Sequence, residues 1–230
     1  MGGIDATTAG SWFDWTDAEW RLWRRWVFAN GAGEVVGLGM VGLVGVALAT
    51  ATRLEADGFG SVAVAATLVT LGTFEGAVVG YAQWRAMQRA FPAIGTHRWV
   101  GATAVGAFVA WTVGMLPSTI GDGGAPVGPT NEPSLGVVLL LAAGLGIVAG
   151  VLLSGVQWLV LREHAIAAWR WLPANAVAWV VGMPVIFLGV SLVPDGPIGA
   201  VAVVVVLATA GVAGLVVGAI HGVALVELAH

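Results

Sequence analysis

The amino-acid sequence predicts an all-α, polytopic integral membrane protein built as a six-helix bundle, and three observations carry that reading. Of 230 residues, 58% are hydrophobic and 10% charged, with a mean hydropathy of +0.92, where soluble domains carry about 25% charged residues. Six apolar segments each reach the roughly 20 residues that a bilayer crossing requires. All nine basic residues are Arg, and they gather on alternate connections between those segments. The chain has no Cys, which excludes disulfides, thiolate metal sites and Cys nucleophiles. It has no basic tract to suggest nucleic acid as a partner; the bilayer itself, and other membrane proteins, are the partners this composition allows.

Taken in order, residues 1–10 read as a polar tail and residues 11–24 as an interfacial segment. The latter holds Trp12, Phe13, Trp15, Trp20 and Trp23 among acidic and basic residues. Thr16-Asp17-Ala18-Glu19 matches a capping box, which places a helix start near Thr16. The Met1-Gly2-Gly3-Ile4-Asp5 start carries no basic region ahead of an apolar run, so the first span is expected to remain as an anchor. The spans are expected at about 26–51, 59–83, 98–118, 135–161, 171–193 and 197–225. The connection at 119–134 is rich in Gly and Pro and reads as a loop. Pro184 is expected to kink the fifth helix, and Pro173 sits in its tolerant first turn. The chain thus divides into the tail and Trp-rich segment, 1–24, and one transmembrane domain, 25–230.

Arg21, Arg24, Arg25, Arg85, Arg89, Arg98, Arg162 and Arg170 fall on one side of the alternating connections, and Arg53 alone on the other. The positive-inside rule then predicts a multi-pass protein of the cell membrane with both termini cytoplasmic. Glu55, Asp57, Asp122, Glu132 and Asp195 lie on the opposite side and read as a mildly acidic outer surface.

The helix openings align with one another. Trp26, Trp99 and Trp171 are 73 and 72 residues apart, followed at equal offsets by Ala29, Ala102 and Ala174 and by Asn30, Thr103 and Asn175. The even helices align on Gly76, Gly150 and Gly214, and seven residues later stand Gln83, Gln157 and His221. A fixed period marks a repeated unit, here three tandem helical hairpins at 25–97, 98–169 and 170–230. Parallel repeats of this kind relate by an axis along the membrane normal, so 26–89, 99–162 and 171–226 are expected to superpose. Gly72, Gly76 and Gly80, Gly146 and Gly150, and Gly214, Gly218 and Gly222 form rows that permit close helix approach in lipid.

Gln157-Trp158-Leu159-Val160-Leu161-Arg162, preceded by Ser154-Gly155, is the fullest copy of a repeated segment. The first unit keeps Gly80 and Gln83-Trp84 without the Leu, and the third has His221-Gly222. The segment resembles the G-x-x-Q-W-x-x-L-R segments of uncharacterised bacterial multi-span membrane proteins. That resemblance implies membrane placement and carries no activity.

Two sets of residues invite chemistry. Asn30, Gln83, Thr103, Gln157, Asn175 and His221 fall near the cytoplasmic ends of their helices. They read either as a polar ring that binds a head group or small ligand, or as interhelical hydrogen bonding beside a belt of Trp anchors. Glu34 and Glu75 lie nine residues past Arg25 and ten before Arg85, roughly 13–15 Å into the membrane. Intramembrane carboxyls are costly and are functional by default. The two belong to the first hairpin only and are expected to face each other and share a proton. His97 and His164 read as solvated loop residues, and Glu227-x-x-His230 as too terminal and too solitary for a metal site. No metal site or catalytic constellation is legible, and the cofactor is left unknown, with His221 as a tetrapyrrole ligand a minority reading. The leading expectation is a non-enzymatic membrane protein whose buried polar site binds or passes a small solute, cation or proton. The alternatives are an assembly subunit of a larger membrane complex holding a lipid or pigment, and, least favoured, an intramembrane enzyme.

Overall fold

The computed structural model describes residues 15–52, 58–120, 133–194 and 198–229. Trp12, Phe13, Arg53, Glu55, Asp57, Asp122, Glu132, Asp195 and His230 lie outside the described residues, as does most of the connection expected as a loop at 119–134. The described residues form α1 (Asp17–Thr52), α2 (Gly58–Met87), α3 (Thr96–Ile120), α4 (Leu135–Leu161), a single 3-10 turn (Ala168–Arg170), α5 (Trp171–Ser191) and α6 (Ala200–Leu228). All six α-helices are long and apolar enough to cross a membrane.

α1 starts at the expected capping box: the backbone N–H of Glu19 donates to Thr16 Oγ1, and the N–H of Thr16 donates back to the Glu19 carboxylate. With 36 residues, α1 is about 54 Å long against a hydrocarbon core of about 30 Å. From Trp15 on, the Trp-rich segment runs into the first span as one helix, as the capping box led one to expect. Trp15, Trp20 and Trp23 cluster there, with Trp15 and Trp20 edge to face at 4.8 Å. α5 runs from Trp171 to Ser191 with Pro184 inside it.

Each helix packs on its neighbours in the chain, and α6 packs on α1, so the six form a closed ring. The glycine rows set how tightly the ring closes. Those on α2, α4 and α6 face the following odd-numbered helix, α6 being followed by α1. A Cβ at Gly76 would stand 2.9 Å from the Thr103 carbonyl oxygen, one at Gly150 2.7 Å from that of Asn175, and one at Gly214 2.7 Å from that of Asn30. Apolar side chains gain little over lipid tails by touching, so backbone approach of this kind is what holds membrane helices together. Between α1 and α2 the approach comes from Gly33 against Val79 and Gly37 against Glu75, while Gly72 and Gly76 face Trp111 and Ala107 of α3.

The alternating helix directions gather the eight described arginines at one end of the ring. Arg98 pairs there with Glu163, N to O 2.7 Å, and Arg170 with Glu227 at 3.5 Å. The hydrogen bond from Arg98 holds the exposed Glu163 carboxyl below the usual glutamate range. Inside this end lies an apolar core, where Trp26, Met87, Trp99, Leu161, Trp171 and Leu225 are wholly buried.

Gly146 is the most crowded of the glycines in the rows: an added Cβ would lie 2.1 Å from the backbone oxygen of Trp179. Gly146→Ala is expected to lower stability by about 1–3 kcal/mol, the usual cost of overpacking. Gly155 has nothing within 4 Å of such a Cβ, so Gly155→Ala serves as the neutral comparison. Thermal unfolding of both variants in mild detergent measures the difference.

Candidate functional site

The ring encloses a cavity of about 340 Å³. Its floor is polar: Asn30, Gln83, Thr103, Gln157, Asn175 and His221, the six residues that the aligned helix openings and ends singled out, all line it. All six are buried. They sit together because helix openings and helix ends meet at the arginine-rich end, each on the inward face of its helix.

Beneath the floor stand Trp26, Trp99 and Trp171, each with no exposed surface. Their rings contact one another with centroids 5.8–6.5 Å apart in edge-on or tilted arrangements. Of the tryptophans expected to anchor the helices at the lipid interface, these three are inside the protein. The reason is visible in their hydrogen bonds. Trp26 Nε1 donates to His221 Nδ1 at 2.9 Å, Trp99 Nε1 to Gln83 Oε1 at 3.2 Å, and Trp171 Nε1 to Gln157 Oε1 at 2.9 Å. Three bonds then return to the backbone: Asn30 Nδ2 to Trp26 O, Thr103 Oγ1 to Trp99 O, and Asn175 Nδ2 to Trp171 O, at 2.8–2.9 Å.

The floor is also tied laterally. Gln83 Nε2 donates to Asn30 Oδ1 at 2.8 Å, and Gln157 Nε2 to Thr103 Oγ1 at 3.0 Å and to Gln83 Oε1 at 3.1 Å. No matching bond joins His221 to Asn175. With Nδ1 accepting from Trp26, the His221 proton sits on Nε2. That donor and the Asn175 Oδ1 acceptor remain without a protein partner on the cavity floor.

Above the floor, at mid-span, are Glu34 and Glu75, with 5% and 8% of their surface exposed. Both line the cavity as neighbours. Each acid occupies space that a glycine on the facing helix leaves open. A Cβ at Gly214 would meet Glu34 Cγ at 2.6 Å, and one at Gly37 would meet Glu75 Cγ at 2.9 Å. Trp111 Nε1 donates to Glu75 Oε2 at 2.9 Å. Glu34 Oε2 is buried without a hydrogen-bond partner. The remaining wall is apolar and aromatic, with Leu38, Ala107, Trp111, Leu145, Trp179 and Phe187 among its residues.

Trp111 and Trp179 were not found as site residues from the sequence. The available signal was their mid-span position, since Trp normally seeks the membrane interface. His97 is exposed, and His164 Nδ1 lies 3.0 Å from the Val160 carbonyl, both away from the cavity. Glu227 is engaged by Arg170. Among the described residues no group of three or more His, Cys, Asp or Glu is placed to hold a metal ion. Compared with known protein families, curated proteins and solved structures, the chain matches none.

The Gln157 carboxamide accepts from Trp171 and donates to Gln83 and Thr103. A double-mutant cycle of Trp171→Phe and Gln157→Leu should therefore show a coupling of about 0.6–1.7 kcal/mol, the range for polar pairs between membrane helices. Additive effects in thermal or SDS-induced unfolding would show that the pair does not hold the floor.

Proposed function

We propose that the protein is a non-enzymatic integral membrane protein whose central cavity binds a small cation with an apolar body, such as a hydrophobic amine. One observation carries this reading: the unpartnered, buried Glu34 Oε2, beside Glu75, in an otherwise apolar and aromatic cavity. A carboxylate oxygen without a donor in such a place costs several kcal/mol unless a proton or cation completes it. Two neighbouring carboxyls cannot both carry an unbalanced charge in a low dielectric. A proton shared by the pair satisfies the empty state, and an ammonium group satisfies it better, because it donates to both acids. Trp111 and Trp179 supply aromatic faces for a cation. The volume is within the range of small-molecule sites. Asn175 Oδ1 and His221 Nε2–H offer an acceptor and a donor to a polar group at the floor. The Trp triad and the apolar packing around it close the arginine-rich end, which favours binding over open passage.

The same reading takes the three helical hairpins as tandem copies of one unit. The recurring Trp-to-Gln or Trp-to-His bonds and the recurring glycine-to-carbonyl approaches support it. It also takes the arginine-rich end as cytoplasmic, on the distribution of Arg.

The binding proposal is tested by adding primary amines with aromatic or alkyl bodies, and their neutral alcohols of matched shape, to the purified protein in mild detergent. The amines should raise the melting temperature and the alcohols should not. Glu34→Gln and Glu75→Gln should each weaken the amine effect at least tenfold. Equal stabilisation by amine and alcohol, or full amine binding by both variants, overturns the proposal.

Orientation is tested in this naturally cysteine-free chain with single cysteines at Ile166 and Pro194, exposed residues near opposite ends of the ring. A membrane-impermeant maleimide should label Pro194→Cys on intact cells, and Ile166→Cys only after permeabilisation. The reverse pattern would put the arginine-rich end outside.

A further inference from the structure

We propose that the groove between α1 and α2 at the arginine-rich end binds the phosphate head group of an anionic membrane lipid. The groove is separate from the central cavity and its volume is about 680 Å³. Arg21, Arg24 and Arg25 from α1 and Arg85 from α2 line it. Ala29, Ala82 and Ala86 form its apolar lining, and Phe28, 68% exposed, stands beside it on the outer surface of the ring.

The case rests on a comparison within the chain. At the opening of α3, Arg98, the residue before Trp99, pairs with Glu163, six residues past Gln157. At the opening of α5, Arg170, the residue before Trp171, pairs with Glu227, six residues past His221. The same two positions in the first hairpin are Arg25, before Trp26, and Arg89, six past Gln83. Where the other two hairpins place a carboxylate, the first places a second guanidinium. The pairs Arg98–Glu163 and Arg170–Glu227 are the ion pairs among the described residues, so Arg21, Arg24, Arg25, Arg85 and Arg89 have no carboxylate partner there. Of the two acids in the first turn of α1, Glu19 is engaged with Thr16, and Asp17 makes no ion pair with these arginines among the described residues.

Four like charges around one small groove repel, and an anion between them removes the repulsion. Guanidinium groups match phosphate oxygens in pairs, and arginines at a membrane surface gain affinity for anionic lipids roughly in proportion to their number. The groove opens on the outer face of the ring and not into its interior. An exposed Phe28 next to it suits an acyl chain, which a free phosphate ion does not have. The source is therefore the lipid.

The test uses the full chain, delipidated in mild detergent and titrated with short-chain phosphatidylglycerol or phosphatidylcholine under native mass spectrometry. Phosphatidylglycerol should bind at least tenfold more tightly. Arg24→Gln with Arg85→Gln should weaken it about 30-fold, from two arginines lost. Arg98→Gln with Arg170→Gln removes the same charge elsewhere and should leave binding within threefold. Arg89→Glu restores the carboxylate of the other hairpins and should weaken phosphatidylglycerol by offering Arg25 an internal partner. Equal affinity for the two lipids, or equal loss in the two double variants, overturns the proposal. Inorganic phosphate that displaces the lipid at comparable concentration assigns the groove to a free anion and overturns it as well. The amine-binding reading of the cavity is unaffected by any of these results.

Discussion

Inside a bilayer a polar hydrogen has no water to fall back on, and that constraint orders this protein around three indoles. Trp26, Trp99 and Trp171 place their rings on the axis of the ring of helices, where no lipid head group reaches. Each N–H then needs an acceptor from a neighbouring helix. Gln83, Gln157 and His221 supply one apiece from the end of an even-numbered helix. Once those acceptors are engaged, their remaining polar atoms need partners too, and Asn30 and Thr103 provide them. The network grows until nearly all of it is satisfied, because a half-satisfied network in an apolar setting is worse than none.

Such a network forms only if the backbones come close enough, and glycine decides that. The carbonyls of Asn30, Thr103 and Asn175 accept no room for a side chain opposite them, and Gly214, Gly76 and Gly150 stand there. The same economy places the acids. Glu34 and Glu75 are long side chains in a crowded interior, and each extends over a glycine of the facing helix. Polar contacts between membrane helices are individually worth about 0.6–1.7 kcal/mol. Their value here is positional: they fix which faces point inward and so define one cavity with a polar floor.

The spans were legible because length and hydropathy are nearly sufficient in a bilayer. Helix bounds agree within a few residues, and α1 begins at the capping box expected near Thr16 and runs into the first span. The polar floor was legible too, since Asn30, Gln83 and their counterparts recur at fixed offsets from a Trp. Three things were hidden. Tryptophan near a helix end signals an interface by habit, so the inward turn of Trp26, Trp99 and Trp171 could not be read from their position along the chain. Glycine carries no side chain to declare its face, so Gly72 and Gly76 gave no sign that they meet Trp111 and Ala107 on α3 and not α1. The closure of α6 on α1 is a contact between the two ends of the domain, which no local pattern encodes.

Equivalent positions that agree describe a scaffold, and those that differ describe what the scaffold is for. The floor needs three acceptors for three indoles, and two Gln and a His meet that need, yet the His leaves a donor over and Asn175 an acceptor. The counterparts of Glu34 are Ala107 and Trp179, and those of Glu75 are Ala149 and Ala213. The helix pairs α3–α4 and α5–α6 pack with no acid at these positions. The counterparts of Arg89 are Glu163 and Glu227, each already spent on an arginine. Helices α1 and α2 and the turn after them instead carry two buried acids, Glu34 with one oxygen lacking a hydrogen-bond partner, and five arginines without an ion pair among the described residues. Both departures put ionisable groups where the equivalent positions hold an alanine or tryptophan, or an ion pair.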